Sequence, residues 1–216
     1  MLLTKGNKKL GKGIFTFSIP NISTCPGRSE LCESLCYVNK YTRIYPSVER
    51  TYQDNYRLTL NSKRFIKLMK EEIATKKPET VRIHVSGDFY SNEYIEDWIE
   101  IVKSNPGVKF YAYTRSWAVS YLRFKMRELG MLPNFKLWLS KDREMINIPA
   151  SMAEFDVAYM TENEDEERRK RLSPKVKLVF RNDRRSIAHR ISSRIVCPLE
   201  RGLKVNLTCS KCEICF

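Results

Sequence analysis

Histidine is scarce in this sequence: His84 and His189 are the only two among 216 residues. General-base work therefore falls to carboxylates or to a metal. His84 lies within a predicted strand and reads as a core residue. His189 sits among Arg185, Ser186 and Arg190 and reads as surface. No apolar run is long enough to span a bilayer, so no membrane partner is expected. Residues 1–13 carry Lys5, Lys8, Lys9 and Lys12 without the apolar stretch of a secretory signal, which predicts a cytoplasmic protein with reduced thiols. No glycine-rich phosphate loop of P-loop or Rossmann type is present. There is no long low-complexity linker, and residues 37–196 contain no cysteine at all.

Seven cysteines are nevertheless present, an odd number that argues against a closed disulfide framework. Cys25, Cys32 and Cys36 bunch near one end of the chain, and Cys197, Cys209, Cys212 and Cys215 near the other. Thiols used as core filler would be scattered, so this grouping points to metal binding.

Acidic residues are outnumbered, giving a formal net charge of +14 and favouring a polyanionic partner such as nucleic acid, DNA or RNA. The excess concentrates in residues 168–204, where thirteen Lys or Arg face only Asp183 and Glu200. Five carboxylates lie just before it, in residues 162–167. A solvated helix with charge partners explains such a stretch, as does a phosphate-facing surface. Arg181, Arg184, Arg185, Arg190 and Arg194 are the candidate phosphate contacts.

Short β-branched and aromatic runs predict strands at Ile14–Ser18, Val81–Val85, Lys109–Tyr113, Phe135–Leu139, Phe155–Met160 and Val176–Phe180. Between them, Phe65, Leu68, Met69 and Ile73 mark one apolar helical stripe, and Ile95, Trp98, Ile99 and Val102 a second. Leu122, Met126 and Leu129 mark a third, with Gly130 as its expected stop. Pro106-Gly107 and Pro133-Asn134 punctuate helix-to-strand turns. This alternation predicts βαβ units and a parallel sheet, as an open doubly wound sheet or a partial barrel. The expected organisation is a basic N-terminal tail over 1–13, an α/β domain over 14–195 and a cysteine-rich extension over 196–216.

The extension reads Cys197-Pro198, ten further residues, then Cys209-Ser-Lys-Cys212-Glu-Ile-Cys215. Three cysteines at successive x2 spacing with a distant Cys-Pro follow the ferredoxin pattern for a [4Fe–4S] cluster. A closed four-thiolate zinc site is the alternative. The front group is Cys25-Pro-Gly-Arg-Ser-Glu-Leu-Cys32-Glu-Ser-Leu-Cys36. Three thiols without a fourth suggest a second cluster with one open iron. Alternatively the fourth ligand comes from elsewhere in the chain, and the metal is a staple.

The segments Thr24-Cys25-Pro26-Gly27, Cys32-x3-Cys36-Tyr37, Val85-Ser86-Gly87-Asp88-Phe89, Tyr113-Thr114-Arg115 and Val196-Cys197-Pro198, with the last three cysteines, resemble the phage Gene product 88 family. That resemblance implies a protein of phages and other mobile elements. A more distant similarity runs to the radical S-adenosylmethionine (SAM) enzymes. It implies a TIM-like partial (β/α) barrel with parallel strands and its site at the carboxyl ends of the strands, a [4Fe–4S] cluster on Cys25, Cys32 and Cys36, and SAM near Ser86, Gly87 and Asp88. The spacing here is x6 then x3, where that family has x3 then x2, and Asn39 stands where its third cysteine would fall.

Asp88 follows a strand and a glycine, which suits either a functional edge or a helix cap, a role Ser91 also fits. Arg115 ends the next strand and can hold an anion or pair with Asp88. Asp88 and Arg115 are thus the candidate catalytic pair. Tyr37, Tyr41, Tyr45, Tyr52 and Tyr56 interleave with Lys40, Arg43, Arg50 and Arg57. Stacked bases and phosphates suit that pattern, but spacing near four favours an aromatic stripe packed into the core. The expectation is an iron–sulfur protein that binds or modifies nucleic acid. The alternatives are a radical-SAM-type enzyme and a metal-stabilised binding module.

Overall fold

A computed structural model describes residues 2–161, 175–181, 196–200 and 207–216. Seven strands form one sheet whose spatial order follows the chain: β1 (Thr4–Lys5), β2 (Ile14–Phe17), β3 (Thr80–Ile83), β4 (Lys109–Thr114), β5 (Phe135–Lys141), β6 (Asp156–Thr161) and β7 (Val176–Arg181). β1 pairs antiparallel with β2; every later pairing is parallel. Six of the seven strands lie where the apolar runs predicted them. β1 carried no such signal, being two exposed residues held by its neighbour.

The helices are α1 (Glu30–Ser34), α2 (Tyr37–Ile44), α3 (Pro46–Thr59), α4 (Ser62–Lys76), α5 (Asn92–Lys103), α6 (Arg123–Gly130) and a single turn, α7 (Cys209–Cys212). α5 starts because the Ser91 hydroxyl accepts from the Tyr94 N–H at 3.2 Å. Ser91, not Asp88, is therefore its cap. Ile95, Trp98 and Val102 of its apolar stripe are fully buried. Each aliphatic side chain of this kind contributes about 1.5–3 kcal/mol. α4 is capped by Asn61 and stops at Lys77, which turns left-handed at φ 49° just ahead of Pro78. Gly130 does not stop α6 by a left-handed turn. It is the last helical residue, and an added Cβ would come within 2.6 Å of the Phe155 ring. Its smallness lets α6 approach the segment before β6.

α4, α5 and α6 share one core with one face of the sheet. Phe17, Ile83, Ala112, Leu137 and Val157 supply it from the strands; Phe65, Trp98 and Met126 from the helices. Edge-on aromatic contacts join β2, α4 and α5, with Phe17–Trp98 centroids at 5.4 Å and Phe65–Trp98 at 5.6 Å. The alternate strand residues face the other way. There Arg82, Tyr111, Tyr113, Trp138 and Phe180 form a mixed face that receives the final cysteine segment. Residues 2–13, expected as a basic tail, pack into the fold: Leu2, Leu3 and Leu10 are buried, and the Leu2 and Leu3 N–H groups donate to Glu72 of α4.

Candidate metal centre

Parallel strands deliver successive loops to one edge of a sheet. Here the loops after β2, β3, β4 and β5 interlock at the carboxyl end. The Ile19 N–H donates to the Ser86 carbonyl at 3.2 Å, and the Asp88 N–H to the Thr24 carbonyl at 3.2 Å. Two glycines permit this closeness. Gly87 turns at φ +79°, and a Cβ there would sit 2.3 Å from Ile19 Cγ1. A Cβ on Gly27 would lie 2.0 Å from the Arg115 carbonyl oxygen. At Gly27 backbone passes against backbone, and at Gly87 the backbone passes against the Ile19 and Thr24 side chains, approaches a Cβ would block.

Cys25 closes a turn begun at Ile22, which is left-handed at φ 63°. Cys32 lies in α1, its N–H held by the Ser29 hydroxyl at 3.0 Å. Cys36 precedes α2, and its sulfur accepts from Asn21 Nδ2 at 3.3 Å. The same amide group donates to Asn39 Oδ1 at 2.6 Å. All three thiols lie in one electrostatic neighbourhood. Burial, then the nearby Asp88 carboxylate, pushes Cys25 up to about 12. Burial also raises Cys32, opposed by the Arg115 guanidinium. Reactive cysteines need the reverse, a depressed pKa in an electropositive setting. With their pKa values raised, Cys25 and Cys32 are poor free nucleophiles and suit ionisation that occurs when a metal displaces the proton.

Beneath them, Asp88 is buried and fully engaged. Oδ1 accepts from Thr114 Oγ1 at 2.6 Å and from the Phe89 N–H at 2.8 Å, and Oδ2 from the Arg115 N–H at 2.7 Å. Burial raises its pKa, against these hydrogen bonds. The Arg115 side chain does not pair with Asp88. Its guanidinium bonds Asp142, whose side chain is 0 % exposed, and reaches Met145 Sδ at 3.0 Å. Asp142 also accepts from Ser29 Oγ at 2.6 Å and from the Glu144 N–H at 3.0 Å. Glu144 in turn takes the Leu31 N–H at 2.7 Å. Ser86 is buried, and its hydroxyl has no partner among the described residues.

The four other cysteines gather on the mixed face of the sheet. Cys197 leaves the edge of β7, its N–H bonded to the Val179 carbonyl at 3.0 Å, and packs with Trp138, Ala158 and Leu178. α7 docks on the start of the chain, where Cys209 and Ser210 N–H groups donate to the Lys9 and Leu10 carbonyls at 3.0 Å each. Tyr113 Oη donates to Cys215 Sγ at 2.8 Å, and Trp138 Nε1 to the Cys215 carbonyl at 3.0 Å. Burial raises Cys209 and Cys215, each further raised by neighbouring thiols of this group. The charged neighbours of the front thiols are Asp88, Arg115 and Asp142, and none is a tail cysteine. Buried Arg82 lies over the Tyr113 ring, its charge supported by Tyr37 from the front segment and by Cys215 from the tail. Among the described residues, no group of three or more His, Cys, Asp or Glu side chains is placed to hold a metal ion. None of the seven thiols is in a disulfide.

His84 is buried just past β3, its Nε2 2.8 Å from Tyr94 Oη, and burial lowers its pKa to about 3. It is a neutral core group, as its sequence position suggested. The tyrosine stripe is corrected in part. Tyr56 packs against the core as expected and Tyr52 is half-buried, but Tyr37, Tyr41 and Tyr45 are exposed, because α2 buries only Val38. Arg184, Arg185, Arg190 and Arg194 lie outside the described residues, as does His189; Arg181 ends β7. Sequence reasoning missed Ser29, Asp142, Arg82 and Tyr113. Asp142 follows a strand as Asp88 does, and the same rule applied to β5 finds it. Ser29 carries an N-cap signature, with Glu30 and Glu33 behind it.

Among described helices, none is long and apolar enough to cross a membrane. No solved structure matches the chain. The Gene 88 protein of Mycobacterium phage L5 is 28 % identical over 149 residues, covering 63 % of this chain and 61 % of that protein. The Gene 88 protein of Mycobacterium phage D29 is 28 % identical over 136 residues, covering 58 % of this chain and 55 % of that protein. The matched region therefore spans about three fifths of the length of these curated relatives. The family model for Gene product 88 matches residues 1–216, so the chain belongs to the Gene product 88 family.

Proposed function

We propose that this chain is an iron–sulfur protein of a mobile element that binds nucleic acid. Cys25, Cys32 and Cys36 would hold one [4Fe–4S] cluster, and Cys197, Cys209, Cys212 and Cys215 another. On this reading the sequential parallel sheet is a TIM-like partial barrel and residues 196–216 are its metal-binding extension. One observation carries the reading: the seven thiols bunch into a group of three near one end of the sequence and a group of four near the other, with no cysteine in residues 37–196 between them. Soft thiolates in those numbers suit iron–sulfur clusters, with zinc as the competitor at the four-thiol group. A bound cluster supplies electron transfer or, at an open iron, a ligand position. The protein's own contribution is to bury the thiols, orient Cys32 through Ser29 and hold Cys215 through Tyr113. Anaerobic purification with metal analysis and an absorption spectrum tests this. About eight irons per chain with a brown chromophore supports it, as does loss of about half the iron in Cys209→Ser. Colourless protein with stoichiometric zinc refutes it. The net charge of +14 supports the nucleic-acid partner, whose binding must weaken steeply as salt rises.

A second reading, an enzyme of radical-SAM type, draws on the three-thiol group at the carboxyl ends of the strands next to Ser86 and Gly87. The reduced protein would cleave SAM, and Cys32→Ala would abolish cleavage. Absence of any SAM-derived product under anaerobic reduction refutes it.

A further inference from the structure

An amphipathic helix ordinarily turns its aromatic stripe inward. α2 does the opposite. Tyr37 is 61 % exposed, Tyr41 48 %, Ile44 53 % and the flanking Tyr45 49 %. These positions recur at i, i+4, i+7 and i+8, so they form one face. The Tyr41 and Tyr45 rings lie 4.9 Å apart at 55°, leaving ring surface open to solvent. Lys40 and Arg43 are exposed on the same helix and make no salt bridge among the described residues. The helix contains no carboxylate. An uncovered apolar face of this kind marks an interaction site.

We infer that the exposed face of α2 is a stacking platform for single-stranded nucleic acid, with Tyr41 and Tyr45 under successive bases and Lys40 and Arg43 on the phosphates. The inference rests on the nucleic-acid reading and deepens it by fixing the surface and the strand state. Charge complementarity selects the occupant: exposed rings on a helix that carries Lys40 and Arg43 and no carboxylate match a strand whose bases are free to stack and whose backbone is anionic. A duplex keeps its bases stacked on one another and offers the rings nothing. The platform is continuous with the three-thiol group, because α2 begins directly after Cys36 and the Tyr37 hydroxyl donates to the Val85 carbonyl at 2.5 Å. A strand lying along α2 would therefore lead toward the carboxyl-end loops.

The test uses the full chain, purified without oxygen, and a fluorescein-labelled oligothymidylate of about 20 nucleotides, longer than usual single-strand site sizes of ~4–16. Fluorescence anisotropy at low salt compares it with a duplex of equal length. The wild type is expected to prefer the single strand. Tyr41→Ala/Tyr45→Ala should weaken that binding about tenfold or more while the phenylalanine pair binds as wild type, since stacking needs the ring and not the hydroxyl. Circular dichroism checks that each variant folds. Lys40→Glu/Arg43→Glu changes only exposed side chains and must also lose binding, which keeps the test valid should the alanine pair not fold. Wild type that binds while the folded alanine pair binds within about twofold overturns the platform alone. So does a preference for duplex, or tyrosine-dependent self-association with unchanged oligonucleotide affinity. Wild type that binds neither probe overturns the nucleic-acid reading itself.

Discussion

Asp142→Asn removes one charge and almost no volume, and its cost is set by the groups that surround the carboxylate. Every group facing it is a donor: the Arg115 guanidinium and Ser29 Oγ at Oδ2, and the Glu144 N–H at Oδ1. An amide accepts at one of its two terminal atoms only, so its NH2 must confront either the guanidinium and Ser29 or the Glu144 N–H. The Arg115 side chain, 9 % exposed, is left without a counter-charge. Breaking a buried pair from one side costs about 3–5 kcal/mol, a large share of the ~5–15 kcal/mol of a typical domain. For a chain near 200 residues this corresponds to roughly 6–20 °C in melting temperature.

The damage should also be directional. Ser29 donates to Asp142 and accepts from the Cys32 N–H, so the pair orients α1 through that hydroxyl. The tail cysteines share none of these contacts. Urea unfolding followed by tryptophan fluorescence at pH 7.5 should show the full loss. Metal analysis should show front-group iron falling while tail-group iron holds. A stability change under about 1 kcal/mol, or equal iron loss from both groups, would refute the reasoning.

Burial, with Glu100, Glu96 and Glu93 adding repulsion, pushes Asp97 up to about 6, and its Oδ2 has no partner among the described residues. The folded state then binds the Asp97 proton more tightly than the unfolded chain, so this group's contribution to stability is full below about pH 4 and is lost as pH rises through about 6. Asp97→Asn should therefore stabilise by about 2 kcal/mol in urea melts at pH 7.5 and by almost nothing at pH 4, and equal effects at both would be contrary. Gly27→Ala drives a Cβ into the Arg115 carbonyl and should lower the melting temperature by at least as much as a typical overpacked core, about 1–3 kcal/mol, whereas Gly107→Ala, with nothing near its Cβ, should not. Tyr113→Phe removes the hydroxyl at Cys215 Sγ; since a hydrogen bond to sulfur favours the more negative reduced state, protein-film voltammetry should show the tail-group potential falling by tens of millivolts.

The sheet was legible because β2 through β7 are apolar runs of the length a buried parallel strand requires, and because Trp98 and its stripe announce α5. The front site was half legible. Cysteine spacing marks the thiols, and Asp88 and Arg115 were found as strand-end residues. Their partners were not, because pairing across loops depends on register. Arg115 and Asp142 face each other only because β4 and β5 align Thr114 with Leu139. Gly130 misled for a related reason: a glycine at a helix end serves either a left-handed turn or a close approach, and only the neighbour, Phe155, distinguishes them. The first half of the tyrosine stripe, Tyr37 to Tyr45, misled because periodicity reports that a helix has one apolar face and not which way that face points.

The two cysteine groups also differ in what holds them. The front thiols sit on loops cross-braced by three carboxylates: Asp88 accepts from the Arg115 N–H, Glu144 from the Leu31 N–H, and Asp142 from the Ser29 hydroxyl and the Arg115 guanidinium. The tail thiols rest on two backbone hydrogen bonds to Lys9 and Leu10, a tyrosine hydroxyl and an indole N–H. A scaffold braced by buried carboxylates keeps its shape whether or not metal is bound. A short segment laid on a sheet face, with a one-turn helix and few buried residues, gains most of its order from whatever its thiols grip. Hydrogen exchange on protein stripped of metal should therefore show residues 207–216 losing protection while the Asp88 and Arg115 amides retain it. Retained protection in the tail would mean that packing against Tyr113 and Trp138 suffices. Simultaneous loss at Asp88 would mean that metal, and not the carboxylate bracing, holds the front loops.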